Sequence, residues 1–453
     1  MKKRMCKIMA LAMTAAMVVP MAAQTTAFAA DDKEITYWNI AVESPDKDIV
    51  TAAVDKFNKE TKSGYTVNQV AIQNDTYKEK LVIAMSSGEC PDMYSSWSGG
   101  PMYEYIDSGF AQPIDDLLDQ SDIKDKLLDA AIEQGSYKGH VYAIPYMNVV
   151  LAGIFYNKDM FKQYGLEEPK TLADLENICA TLKENGITPF ALANGSKWTG
   201  SMYFMSLAAR YGGLEPFQNA VAGTGKFTDD CFIKAGEKIQ EWVKNGYFPD
   251  GVNSLSEDDG QAKQLMYQET AGMLLCGSWY TGTFQTDSEE FYQKIGWFPF
   301  PAIDDSDADP TIQIGTVGDQ FISFNCEGDK LAAAFECAAD HLSDEVEDMI
   351  YSTGKIAPVK DAGDHISDPV VKEIFDAAQE ASSIQLWYDQ YLPTSVASAH
   401  LDGLQEVFGL TKTPQEAQEE MQTAMDEYLS TKSDSGAADD TAEEATDDAA
   451  ADD

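Results

Sequence analysis

Of the seven tryptophans in the chain, four stand in short polar stretches rather than in apolar runs. They are Trp97 in Ser-Ser-Trp-Ser-Gly-Gly, Trp198 in Asn-Gly-Ser-Lys-Trp-Thr-Gly, Trp279 in Gly-Ser-Trp-Tyr-Thr-Gly and Trp387 in Gln-Leu-Trp-Tyr-Asp-Gln. An indole beside hydroxyl, amide and carboxylate groups suits one chemistry in particular. Sugars present C–H-rich faces that pack on aromatic rings, and hydroxyl rims that pair with Asp, Asn, Gln and Glu. A lone Trp is more often packing than contact, and Trp242 (mid-helix) and Trp297 (mid-strand) read as core. Trp97, Trp198, Trp279 and Trp387 are candidate stacking groups, and Asp389 is a candidate hydroxyl partner.

Catalytic patterns are thinner. The 76 acidic residues offer carboxylate pairs on paper, but glycoside hydrolysis needs two at a fixed separation, which a sequence does not show. The four histidines (His140, His341, His365 and His400) are scattered, with no H-E-x-x-H and no G-x-S-x-G. Gly223-Thr224-Gly225-Lys226 lacks the leading glycine of a phosphate loop and is followed by Phe227. Asp305, Asp307 and Asp309 have calcium-loop spacing, but Pro310 and Thr316 occupy the positions that need Gly and Glu. No C-x-x-C or Cys/His cluster supports zinc, and a chain of this length buries a core without a disulfide framework. No metal, no cofactor and no enzymatic activity are expected.

Charge narrows the partner. The formal net charge is −44, or −48 once the four positive residues of segment 1–29 are set aside. Such a field disfavours nucleic acid and anionic membrane. Beyond Arg4, Arg210 is the one arginine. Carboxylate, phosphate and sulfate sites rely on arginine forks, so a neutral ligand is favoured.

Stepping along the chain, strands and helices alternate. Ile35 to Trp38 is a strand, and Ser44-Pro45 opens a helix with Ile49, Ala53, Val54 and Phe57 inward. Tyr65 to Ile72 is a strand, Thr76 and Glu79 form a capping-box pattern, Gly88 ends that helix, and Asp92 to Trp97 is a strand. This order predicts a parallel sheet with helices on both faces, whose ligands bind beyond the carboxyl ends of the strands. Asn39 to Glu43, Asn74-Asp75 and Trp97-Ser98 lie at those ends, making Asn39, Glu43, Asp75 and Ser98 candidates. Val141 to Ile144 is stopped by Pro145, Val149 to Tyr156 suits a strand buried on both faces, and Asn157 caps a helix ended by Gly165. The junction between these strands, carrying Asn148, reads as a chain leaving one sheet for another. Further on, Thr171 to Asn185 reads as a helix, and Ala271 to Cys276 is an apolar strand running straight into Trp279.

The motifs Gly-x-Val-Tyr-Ala-Ile-Pro-Tyr, Ile-Phe-Tyr-Asn-Lys-Asp-Met-Phe and Tyr-Gly-Leu-x-x-Pro-Lys-Thr, between Gly139 and Thr171, resemble the first lobe crossing of family 1 extracellular solute-binding proteins, the maltose-binding type. The resemblance spans most of residues 34 to 430. It implies an α/β, two-lobed periplasmic-binding-protein-like (type II) fold, each lobe a parallel-rich sheet flanked by helices, with discontinuous domains and a hinge. The expected division is residues 30–147 plus 318–357 for one lobe and 148–317 plus 358–430 for the other. Gly315 to Gln320, carrying candidate Asp319, resembles the second crossing, and Thr353 to Pro358 leads to the third. The resemblance further implies capture of a neutral oligosaccharide for an ABC permease in the membrane, by a monomer. A secreted carbohydrate-active enzyme and a surface adhesin or sensor stay open as alternatives.

Residues 1–29 read as a signal peptide: a basic start, an apolar run from Ile8 to Ala23, and Ala27-Phe28-Ala29 for cleavage. Cys6 precedes the apolar run, so no lipoprotein cysteine is evident, and an extracellular, cell-surface or periplasmic location is expected. Residues 431–453, rich in Ala, Asp and Ser, read as an acidic disordered tail.

Overall fold

The computed structural model describes the backbone of residues 33–447 and the side chains of residues 33–432. The expected signal peptide lies outside the described residues. Apolar runs fold into strands β1 (Glu34–Asn39), β2 (Thr66–Ala71), β3 (Met93–Ser96), β4 (Ala143–Pro145), β5 (Val150–Asn157), β6 (Thr188–Phe190), β7 (Ala271–Gly277), β8 (Ile295–Phe298), β9 (Gln313–Thr316), β10 (Phe321–Phe324) and β11 (Ile384–Gln385). They make two sheets, one in the order β2-β1-β3-β10-β4 and one in the order β11-β9-β5-β7-β6, with β8 also on β5. A separate two-stranded hairpin pairs Ser136–Tyr137 with His140–Val141.

The chain changes sheet where the Pro145 junction suggested, between β4 and β5, and returns between β9 and β10. It goes back a third time before β11. These crossings bring antiparallel pairs into the sheets beside the expected parallel ones. β1 pairs parallel with β2 and β3, β6 with β7, and β9 with β11, but β5 and β10 are antiparallel to all their neighbours. The chain enters a lobe along β5 and along β10, so both run away from the junction. β1, β3, β4, β7, β9 and β11 therefore all point their carboxyl ends back toward it.

Packing follows burial. Every residue of β5 is buried, as its uninterrupted apolar run requires. Gly153 within it has a specific reason, since a Cβ there would lie 2.2 Å from the Trp297 indole. Trp242 and Trp297 are core residues, 0% and 2% exposed. Asn157 caps the helix Lys158–Tyr164 by accepting from the amides of Asp159 and Met160. The Thr76/Glu79 capping box does not form. The helix begins earlier, at Asn74, and its Asp75 amide donates to Asp258 Oδ2 at 3.1 Å, so the cap comes from the other lobe. The last helix, Pro414–Asp447, continues into the segment expected to be disordered, whose alanines and glutamates are good helix formers. Residues 448–453 lie outside the described residues.

Candidate functional site

Trp279 shows how local sequence builds the site. β7 ends at Gly277, and Trp279 immediately precedes the helix Tyr280–Asp287. The indole folds back over the strand end, where a Cβ on Gly277 would lie 2.0 Å from Cζ3. Only glycine leaves that space. Trp198 opens the helix Trp198–Gly212, and Trp387 follows β11 and precedes the short helix Tyr388–Tyr391. The three rings form a row centred on Trp279, with centroids 6.0 Å from Trp198 and 6.1 Å from Trp387, both edge-on.

Trp97 reaches the same cavity from the other lobe, at the end of β3. The cavity holds about 170 Å³, lined by these four tryptophans, Ile40, Met202, and a polar rim of Asp46, Asn74, Lys78, Asp319, Gln320, Asp389 and Gln390. Apolar ring faces surrounded by acceptors and amides match a carbohydrate in both of its aspects. A neighbouring cavity shares Trp198 and Trp279 and carries Glu43, Glu257, Asp258 and Lys263.

Several contacts cross between the lobes. Lys78 Nζ lies 3.4 Å from Asp389 Oδ2 and 5.0 Å from the Trp97 ring centre. The Trp198 indole N–H donates to Asp75 Oδ1 at 3.3 Å, and Lys263 approaches Glu43 at 3.5 Å. At another edge, Glu104 accepts from the Thr394 amide and hydroxyl at 3.0 and 2.6 Å. Gly99 and Gly100 allow the backbones to meet, since a Cβ on Gly100 would sit 2.2 Å from the Leu392 carbonyl oxygen.

Burial sets the electrostatics of the rim. It pushes the Asp319 carboxyl up to about 7, with Lys355 opposing the rise and Asp46 adding to it. Lys355 is itself buried in an ion pair with Asp46. Burial likewise raises Glu257 to about 7, against the hydrogen bond it accepts from the Tyr280 hydroxyl. Asp258 is raised by burial and by the charge of Asp75.

Of the sequence-derived candidates, Trp97, Trp198, Trp279, Trp387, Asp319 and Asp389 meet in the first cavity, and Glu43 lines the second. Asp75 stands behind Trp198, holding its indole. Asn39, Ser98 and Asn148 depart from expectation: each is buried and lines neither cavity. Asn39 Oδ1 accepts from the Ala41 amide and shapes the turn after β1. Asn148 belongs to the hinge, with its Oδ1 accepting from Ile356 and its carbonyl from Asp319. Residues not singled out include Lys78, Asp46, Gln320, Gln390, Met202 and Glu257. Gln320 and Gln390 each follow a chosen aspartate inside the same short segments, so taking the neighbouring amide with the carboxylate would have found them. Lys78 sits one helical turn beyond Asn74, so the same strand-end argument carried into the following helix would have reached it.

Residues 41–339 match the model of the bacterial extracellular solute-binding protein family. This chain is a member of that family. The solute-binding protein is 31% identical over 228 residues to an uncharacterised ABC transporter extracellular-binding protein of Pyrococcus horikoshii, covering 50% of each chain. It is 28% identical over 235 residues to a maltotriose-binding protein of Pyrococcus abyssi, covering 51% of this chain and 46% of that one. The chain thus spans about half the length of the curated relatives it matches. A solved structure from work on xylan utilization by Caldanaerobius polysaccharolyticus superposes with a TM-score of 0.79 at 29% identity, covering 86% of this chain and 99% of that one. A chitin oligosaccharide binding protein shares the fold, with a TM-score of 0.79 at 23% identity over 87% of this chain and 98% of that one. No helix among the described residues is long and apolar enough to cross a membrane.

Proposed function

We propose that this protein captures a neutral oligosaccharide between its lobes by hinge closure and delivers it, uncleaved, to an ABC permease. The observation that carries the reading is the convergence of four tryptophans from both lobes on one cavity with a carboxylate and amide rim. Relatives named for maltotriose and for multiple sugars support the ligand class. The lobes comprise residues 30–147 plus 318–357 and 148–317 plus 358–430, and the protein acts as an exported monomer. Trp279, Trp198 and Trp97 stack on sugar rings, Trp387, only 2% exposed, borders the cavity and backs Trp279, and Asp389, Asp319, Gln320 and Glu43 take hydroxyls.

Ligand neutrality has structural support. Arg210 is 2% exposed, and its guanidinium donates to the carbonyls of Phe300 and Ile312 rather than into the cleft. The lysines around the two cavities are paired: Lys78 with Asp389, Lys263 with Glu43 and Asp287, Lys355 with Asp46. An acidic sugar would enter a rim of carboxylates with these cations already engaged. The test is a thermal-shift screen of xylo-, malto-, cello-, chito- and galacto-oligosaccharides beside uronates, sialylated sugars and sugar phosphates, followed by calorimetry. A rise in melting temperature with neutral members alone supports the reading, and tight binding of an acidic sugar with an inert neutral counterpart overturns it. Chromatography after long incubation should show no shorter products.

A further inference from the structure

On the far side of Trp97 and the Lys78–Asp389 pair lies another cavity, of about 200 Å³, between the helix Asn74–Ser87 and Gly100–Asp107 on one lobe and Thr394–Phe408 on the other. Lys78, Trp97, Asp389 and Gln390 form the wall common to this annex and the tryptophan cavity. The two differ in character. The annex is walled by Leu81, Val82, Pro101, Met102, Ala397 and Leu401, with the Tyr105 ring beside them.

Its serine and threonine hydroxyls are already engaged within the protein, leaving the Tyr105 phenol as the one hydroxyl of the wall with no such bond. Ser96 Oγ pairs with Ser323 Oγ at 2.7 Å, Thr394 Oγ1 donates to Glu104 at 2.6 Å, and Ser398 Oγ donates to the Thr394 carbonyl at 2.9 Å. A sugar ring placed here would lose water from several hydroxyls and recover few hydrogen bonds, which is costly. An apolar group would lose nothing and would gain from leaving water.

We propose that the annex is a subsite for an apolar substituent, aryl or alkyl, carried by the sugar held in the tryptophan cavity. The inference rests on the sugar-capture reading and adds to it a preferred ligand class: glycosides or oligosaccharides bearing an aromatic or aliphatic group. The Lys78–Asp389 pair then marks the boundary between the hydroxyl-bearing and the apolar parts of the ligand.

The test compares matched phenyl and methyl glycosides of xylobiose, cellobiose, maltose and chitobiose by calorimetry on the full chain. For any sugar that binds, the phenyl glycoside should bind about tenfold more tightly than the methyl glycoside. Leu401→Gln, and separately Val82→Glu at a 45% exposed position, should remove most of that ratio while leaving methyl-glycoside affinity near wild type. Unchanged melting temperatures would show that both variants are folded. Equal or weaker binding of the phenyl compounds, or a ratio retained in both variants, would overturn the annex while leaving sugar capture intact. Failure of every glycoside to bind the wild type would count against sugar capture itself, and the annex would fall with it.

Discussion

Asn148 Oδ1 accepts the Ile356 amide at 2.9 Å, joining the first chain crossing to the third. The same residue's carbonyl accepts the Asp319 amide of the second crossing at 2.7 Å, and Val149 donates to Ile356 at 2.7 Å. Three segments far apart in sequence are thus gathered at one buried residue, through its side chain and its carbonyl. In the proposed closure these segments bend together, and Asn148 is the residue that ties them.

Asn148→Ala leaves the Ile356 amide buried without its acceptor, a loss of roughly 1–3 kcal/mol. Chemical denaturation should show that decrease. A variant of wild-type stability would show that water replaces the side chain and that the tie is dispensable.

Trp279→Ala should act mainly on binding. The ring lines the cavity and is only partly buried, so its loss should cost about 2 kcal/mol or more of ligand affinity, over tenfold. Trp297→Ala, in the core, should instead cost roughly 3–5 kcal/mol of folding stability. Near-normal affinity with a collapsed melting point in Trp279→Ala would make it a packing residue.

Gly100→Ala inserts a methyl group 2.2 Å from the Leu392 carbonyl oxygen across the cleft. The lobes would have to part to admit it. Small-angle scattering of wild type with a saturating ligand should show compaction, and the variant should compact less and bind about tenfold more weakly. Equal radii for variant and wild type at saturation would place that contact outside the closing motion.

The raised Asp319 carboxyl makes stability pH-dependent with a definite sign. Its value in the fold is about 7, against an ordinary value of 3.8. Between those limits the native state holds a proton that the unfolded chain has lost, so this group's contribution is full below about 4 and falls as pH rises to about 7. Asp319→Asn removes that dependence. The stability difference between variant and wild type should therefore move in the variant's favour from pH 4 to pH 7 and then level off. A difference independent of pH would show that Asp319 is ionised throughout.

What the sequence determined by itself was local. The unbroken apolar run Val149 to Tyr156 meant burial on both faces whatever surrounded it, and Pro145 ended the strand before it. Trp242 and Trp297 sat in apolar periodic settings and became core, whereas Trp279 followed a strand with Gly277 beside it and became cavity wall. Strand order placed the carboxyl ends at the cleft, because β-α-β connections return strands in one direction. Tertiary structure decided the rest. Asn39, Ser98 and Asn148 have the same polar, strand-end character as Asp319 and Asp389, yet the first three are enclosed and do not line the cavities. Nothing in their own segments distinguishes them, since the enclosing surfaces come from other parts of the chain. Lys78 and Asp389 lie 311 positions apart and meet only when the lobes do. The Asp75 amide finds its cap on Asp258 for the same reason, which is why the capping pattern at Thr76 and Glu79 misled. Local pattern encodes what an element needs from its own residues, and only packing between distant segments decides which polar groups face the cleft.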